Sequence, residues 1–179
     1  MVGTTNTDHP RACYIEGKRC GEVIMSIARS NGIDAKSARL ALAYGPGTRS
    51  GDTRVLNELI QRGISNKQIG VRGGVDQIRT CYISDAIEML WNILFYGKQP
   101  IYNVGGESRI NIGKLAVQIG KILNVPVILP NALTNNNFGS PNEVQVNTTK
   151  YKTEFGNKFF ITLEEGLKRT INYQKGLYP

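Results

Sequence analysis

Segments with a helical apolar period alternate with short β-rich runs along the whole chain. This order restricts the fold more than any other feature, because it calls for an α/β arrangement in which helices cover a sheet. Pro10 to Ser30 reads as a long helix, with Pro10 suited to its first turn, Asp8 placed to cap it and Asn31-Gly32 as its stop. Ala35 to Tyr44 has the small and apolar residues of a buried strand, ended by Gly45-Pro46-Gly47. A helix capped by Asp52 runs to Arg62, Ile78 to Ile83 is a strand, and Asp85 caps a helix from Ala86 to Tyr96. Ile101 to Val104 is a short strand, Ile110 to Leu123 a helix, and Val125 to Leu129 a β-rich run. Thr149 to Phe155 forms a short helix, and Thr162 caps a last one from Leu163 to Tyr173. With 179 residues, the chain is expected to form a single unit over 1–179.

The first helix carries an unusual stripe. Cys13, Gly17, Cys20, Ile24 and Ile27 recur at spacings of four and three, a narrow apolar line with a small residue where another helix can approach closely. Such a line calls for a helical partner. Tyr14, Lys18, Gly21 and Met25 fall on a neighbouring face, about 100° of rotation per residue away.

Composition excludes several classes. No run of about 18 apolar residues is present for a membrane span, and MVGTTNTDHP has no basic stretch followed by an apolar run, so the pattern is that of a cytoplasmic protein. The three cysteines, Cys13, Cys20 and Cys81, have no CxxC spacing and the single His9 stands apart, so no metal site is expected. Cys13 and Cys20 lie two helical turns apart, too far for a disulfide. The net charge of +8 is scattered along the chain and no nucleic-acid-binding motif accompanies it, so nucleic acid is not the expected partner. A solvated surface, or a diphosphate substrate, accounts for the excess.

Tyr14 and Lys18 stand at i and i+4, so a phenol and an ammonium project from one helix face. A tyrosine is a poor base at its ordinary pKa near ~10, but an adjacent ammonium favours the phenolate, and the pair can take a proton from an alcohol while hydride leaves its carbon. The bland alternative for the same spacing is a tyrosine lying on a lysine stem.

The flanking residues extend the pattern. Pro10-Arg11-Ala12-Cys13-Tyr14-Ile15-Glu16-Gly17-Lys18-Arg19 resembles the active-site helix of extended short-chain dehydrogenases of the NAD-dependent epimerase/dehydratase family, most of all UDP-glucuronate decarboxylases. Ala38-Arg39-Leu40 through Tyr44-Gly45-Pro46 resembles that family's strand and Tyr-Gly-Pro turn, and Asp52-Thr53-Arg54-Val55 its Asp-x-Arg-Val helix start. Arg79-Thr80-Cys81-Tyr82-Ile83-Ser84-Asp85, Tyr102-Asn103-Val104-Gly105 with Ile112 to Ile122, and Leu163-Glu164-Glu165-Gly166-Leu167 follow in the family's order.

The resemblance implies the C-terminal portion of a Rossmann-like fold, namely the catalytic-helix end of the Rossmann domain plus the small substrate-binding domain. It implies NAD as cofactor and a nucleotide-diphosphate sugar as substrate. Tyr14 would act as base and later acid at a sugar hydroxyl, Lys18 would lower its pKa and grip the nicotinamide ribose, and Arg79 and Arg54 would face the diphosphate. In the decarboxylases of this family, a transient ketone β to the sugar carboxylate lets carbon dioxide leave. A surface salt bridge is the plain alternative for both arginines.

The family's glycine-rich βαβ segment, which cradles the cofactor pyrophosphate, has no counterpart in these residues. Gly45 to Gly51 imitates it only superficially, lying after the catalytic helix and containing Pro46. Nor is a counterpart found for the family's Ser or Thr partner of the tyrosine, Thr4 and Thr5 being too near Tyr14 in sequence. Leu42 stands where the family has asparagine, and Gly139 to Asn147 lacks its usual arginine. Two expectations follow. The first is an enzyme half that works with an N-terminal cofactor-binding half or as a homo-oligomer through the Cys13–Ile27 helix. The second is a non-catalytic module that binds a nucleotide sugar or serves assembly. Loop 133–146 would decide which sugar is taken.

Overall fold

The computed structural model describes residues 6–71, 77–130, 146–157 and 160–178, with residues 77–79 given by their backbone alone. Thr4 and Thr5, and nearly all of the loop 133–146 expected to decide the sugar, lie outside the described residues. The described chain forms helix α1 (Ala12–Ser30), strands β1 (Ser37–Leu40) and β2 (Leu42–Tyr44), helix α2 (Val55–Ser65), and strands β3 (Ile69–Gly70) and β4 (Gln77–Tyr82). Helix α3 (Ile83–Tyr96), strands β5 (Ile101–Val104) and β6 (Ser108–Asn111), helix α4 (Ile112–Leu123), strand β7 (Val127–Ile128) and helices α5 (Thr149–Phe155) and α6 (Leu163–Lys175) follow. Among the described residues, no helix is long and apolar enough to cross a membrane.

The α/β alternation expected from sequence is present, with differences that have physical causes. Ala35 to Tyr44 is not one strand. It breaks at Ala41, so that β1 pairs in parallel with β5 (Ser37↔Ile101) while β2 pairs in parallel with β4 (Leu42↔Thr80). The Ala41 amide still donates to the Val104 carbonyl at 2.8 Å, closing the first ladder just before the chain enters the second sheet. In that second sheet β4 also pairs antiparallel with β6 (Gln77↔Asn111), and β3 pairs with β7 in a separate two-stranded ribbon. Strand β6 takes the segment before Ile112, and the Asn111 side chain accepts from the Lys114 amide to start α4.

Three expected caps act differently. Asp8 does not cap α1, which starts at Ala12 after Arg11, with the Arg11 amide donating to His9 Nδ1 at 3.1 Å. Asp85 lies inside the first turn of α3, where its buried carboxylate accepts the Ile161 amide at 2.9 Å and ties α3 to the segment before α6. Asp52 grips Arg54, the residue before α2, rather than capping the helix itself. Thr162 does cap α6, accepting from Glu165 N at 3.3 Å.

Two apolar cores sit on opposite sides of β4. Tyr82 faces one with Tyr44, Leu56, Ile60, Leu115, Ile119, Leu167 and Ile171, which packs α2, α4 and α6 together. Cys81, the preceding residue, faces the other with Met89, Ile93, Tyr102, Val104 and Tyr151, which packs α3 and α5 on the β1–β5 sheet. Successive strand residues point to opposite faces, so a single strand serves both cores. Each fully buried Leu or Ile contributes roughly 1.5–3 kcal/mol.

Tyr44 and Tyr82 meet edge to face, with centroids 5.6 Å apart at 75°. Only glycine fits at two places around the pair, crowded by Ile83 at the first and by the two rings at the second. At Gly45, with φ +151°, a Cβ would lie 2.4 Å from Ile83 Cγ2, and at Gly166 it would lie 2.3 Å from the Tyr44 hydroxyl and 2.9 Å from the Tyr82 ring. The Gly166→Ala substitution is therefore expected to destabilise the fold by about 1–3 kcal/mol despite alanine's better helix propensity. Urea denaturation checks this, with Lys168→Ala on the exposed face of α6 as a near-neutral control.

Candidate functional site

Helix α1 presents Tyr14 and Lys18 on one face, as their spacing requires. Lys18 Nζ lies 5.5 Å from the centroid of the Tyr14 ring, and Arg11 Cζ lies 5.2 Å from it. Two cations therefore lie over one aromatic ring. Tyr14 is 57% exposed, so the ring is open to an incoming molecule.

None of the described residues of α1 is buried. The helix is held over β1 by a fork-to-fork pair, Arg39 Nε and Nη2 each 2.6 Å from the Glu22 carboxylate. Arg29 Nη1 adds a bond to the Ala35 carbonyl at 3.2 Å. Hydrogen bonding to Arg39 holds the Glu22 carboxyl below the usual range, and the same bond raises Arg39. The expected stripe is correspondingly solvated, with Ile24 and Ile27 more than half exposed, and Cys13 and Cys20 exposed as free thiols.

Arg54 belongs to a second constellation, on the loop that leaves β2. The Asp52 carboxylate accepts the Arg54 amide at 2.9 Å and its Nε at 3.0 Å, and pairs with Nη2. Hydrogen bonding to Arg54, aided by Asn57, holds the Asp52 carboxyl far below the ordinary range. Asn57 in turn accepts Gln174 Nε2 at 3.0 Å, both side chains being buried. The Tyr178 hydroxyl accepts the Gly51 amide at 2.8 Å, and the Tyr173 hydroxyl donates to the Thr48 carbonyl at 3.3 Å.

This loop and the first turn of α2 are thus latched to α6 and the residues just beyond it at three points, a feature that sequence reasoning missed. Its only sequence signal is a cluster of polar and aromatic residues after a helical period, which reads equally well as a solvated helix end. Arg79 lies within β4, opposite Arg109 of β6 in the antiparallel register. Its side chain lies outside the described residues.

Tyr44, from the Tyr-Gly-Pro turn, is a different kind of phenol from Tyr14. Burial, reinforced by Tyr82 and Asp85, pushes its hydroxyl far above the usual range, so it stays neutral. Its oxygen has no hydrogen-bond partner among the described residues.

The depressed Asp52 carboxyl gives a sign for pH dependence. A lowered folded-state pKa stabilises the protein above the unfolded value near ~3.9, and that contribution is lost as pH falls through the lower folded value. Because the Arg54 partner is largely exposed, the contribution is about 1 kcal/mol. Asp52→Asn should flatten the acid limb of the stability–pH curve between about pH 5 and 2, measured by urea unfolding at a series of pH values.

The chain is similar to known proteins of one family. The NAD dependent epimerase/dehydratase family matches residues 2–105. UDP-glucuronic acid decarboxylase 5 of Arabidopsis thaliana is 28% identical over 167 residues, 92% of this chain and 48% of that protein. UDP-glucuronic acid decarboxylase 1 of Xenopus tropicalis is 27% identical over 173 residues, 96% of this chain and 41% of that protein. The chain therefore spans about half the length of the curated relatives it matches, aligned with their C-terminal part. Among solved structures, UDP-glucuronic acid 4-epimerase from Bacillus cereus, in complex with UDP-glucuronic acid and NAD, superposes with a TM-score of 0.79 at 22% identity, over 99% of this chain and 58% of that one. dTDP-glucose 4,6-dehydratase from Bacillus anthracis, in complex with NAD, gives 0.77 at 18%, over 97% and 56%. The chain belongs to the NAD dependent epimerase/dehydratase family and has the α/β fold of the C-terminal portion of its Rossmann-like members.

Proposed function

We propose that residues 1–179 act as one unit, the proton-transfer and substrate half of an NAD-dependent enzyme that remodels a nucleotide-linked sugar. Its chemistry resembles that of a UDP-glucuronate decarboxylase and is completed by an N-terminal cofactor-binding half. The observation that carries this reading is the Tyr14–Lys18 pair, an exposed phenol with an ammonium 5.5 Å from its ring centroid, on the helix that the family match includes.

The residues present fit one side of the cofactor. Lys18 and Tyr14 offer an ammonium and a hydroxyl on an open face, suited to a nicotinamide ribose. No GxxGxxG turn in these residues serves the pyrophosphate, so the cofactor would be held jointly with the N-terminal half. Bound NAD supplies the acceptor, and later the donor, of a hydride at the sugar carbon.

Within this chain the steps are proton transfers and orientation. Tyr14 acts as the base that takes the proton of the sugar hydroxyl and as the acid that afterwards returns it, while Lys18 beside it grips the nicotinamide ribose. Arg54, held rigid by Asp52, and Arg79 bring guanidinium groups to the diphosphate. Leu42, half-buried in β2 opposite Thr80, stands where the family has asparagine and favours a second reading, a nucleotide-sugar-binding or assembly module without turnover.

Calorimetric titration of NAD, with the chain alone and mixed with the N-terminal half from the same genome, followed by turnover of UDP-glucuronate, tests the proposal. Binding and turnover are expected in the mixture only. Tyr14→Phe should then lower kcat by about 10²–10⁴-fold with little change in KM. A folded mixture that neither binds NAD nor turns over substrate leaves the binding module as the better account.

A further inference from the structure

Two arginines occupy facing positions in the second sheet. In the antiparallel ladder of β4 and β6, Arg79 stands opposite Arg109, Ile78 opposite Ile110 and Thr80 opposite Ser108. Close approach of the backbones sets this pairing where the chain enters β6, because a Cβ at Gly106 would lie 2.4 Å from the Thr80 carbonyl oxygen. Ile110 belongs to the core that α2, α4 and α6 close, and Thr80 is fully buried. By the alternation of a strand, positions 79 and 109 share the other face of the sheet, where Arg109 is exposed.

Like charges at directly opposite positions repel, so this pairing costs the free protein stability that an anion lying across both positions returns. The charge balance of the neighbouring loop points the same way. Arg54 is already matched by the Asp52 carboxylate, which accepts its Nε at 3.0 Å and pairs with its Nη2. Residues 139–147 hold no lysine or arginine. A nucleoside diphosphate is negative on each of its phosphates, so Arg79 by itself would leave one of them without a matching cation.

We propose that Arg109 is a second anion-binding residue beside Arg79, and that the two bracket a diphosphate, one guanidinium to each phosphate group. A guanidinium fork presents parallel N–H donors that suit phosphate oxygens. A monophosphate engages one fork and leaves the other repelled by its neighbour, so Arg109 favours diphosphates over monophosphates. That Arg79 faces a diphosphate rests on the proposed function; the facing positions of Arg79 and Arg109 do not.

The test measures UDP and UMP binding by calorimetry, with the chain mixed with the N-terminal half from the same genome. Wild type should bind UDP more tightly than UMP. Arg109→Gln should weaken UDP binding by about tenfold and UMP binding by less than about threefold. Arg109→Lys, which keeps the charge and loses the fork, should recover only part of the loss. Lys168→Gln removes a positive charge from the exposed face of α6 and should leave both affinities unchanged. A second measurement needs no partner: inorganic pyrophosphate should raise the melting temperature of the wild-type chain and have little effect on Arg109→Gln, whose own melt also shows that it folds.

The proposal is overturned if no UDP binds, if Arg109→Gln leaves UDP binding intact, or if it weakens UDP and UMP equally, as loss of net charge alone would. Loss of diphosphate preference in a mixture that never turns over UDP-glucuronate would remove the enzymatic reading and leave Arg109 in its role. Turnover with a KM untouched by Arg109→Gln would do the reverse.

Discussion

The change of sheet at Ala41 is the constraint on which the remaining structure depends. A single extended run begins in the parallel pair with β5 and ends in the parallel pair with β4, so two sheets, each with its own core, share one continuous backbone. Strand β4 repeats the device at side-chain level, sending Cys81 into one core and Tyr82 into the other. Neither half can move independently without breaking ladder hydrogen bonds. This is how a helix over the first sheet and the Arg54 loop over the second are kept in fixed relation.

That geometry separates the candidate site residues into two groups. Tyr14 and Lys18 ride on α1, which touches the body mainly through Glu22 and Arg29 and keeps its apolar stripe in water. Arg54 rides on a loop whose conformation is fixed by Asp52, Asn57, Gln174, Tyr173 and Tyr178. The first element is loosely attached and solvated, the second heavily anchored.

Much of this was legible in the residues. The order of helices and strands, the Tyr14–Lys18 face, the solvated stripe and the Tyr-Gly-Pro turn all come from local spacing and from residue types with narrow conformational or steric range. The break at Ala41 was not legible, because Ala35 to Tyr44 is uniformly small and apolar and a change of pairing partner leaves no mark on a strand's own pattern. The Asp85 link to Ile161 and the latch from α6 to the Gly51 loop were hidden for a related reason. Asp85 next to a helix start looks like a cap, and Tyr173, Gln174 and Tyr178 look like a solvated helix end, until distant segments are brought beside them.

What the sequence alone determined is therefore local: where helices and strands form, which face of α1 carries the phenol and the ammonium, and that an apolar stripe runs beside that face. These follow from side-chain period and backbone restriction, which act over a few residues. Only the tertiary structure decided which strands pair, that Asp85 and Gln174 are buried hydrogen-bonding groups, that Tyr44 is neutral while Tyr14 is exposed, and that β1 pairs with β5 alone among the described residues. Those properties depend on desolvation and on contacts between residues up to more than a hundred positions apart, as between Asn57 and Gln174, and such contacts carry no signature in local spacing.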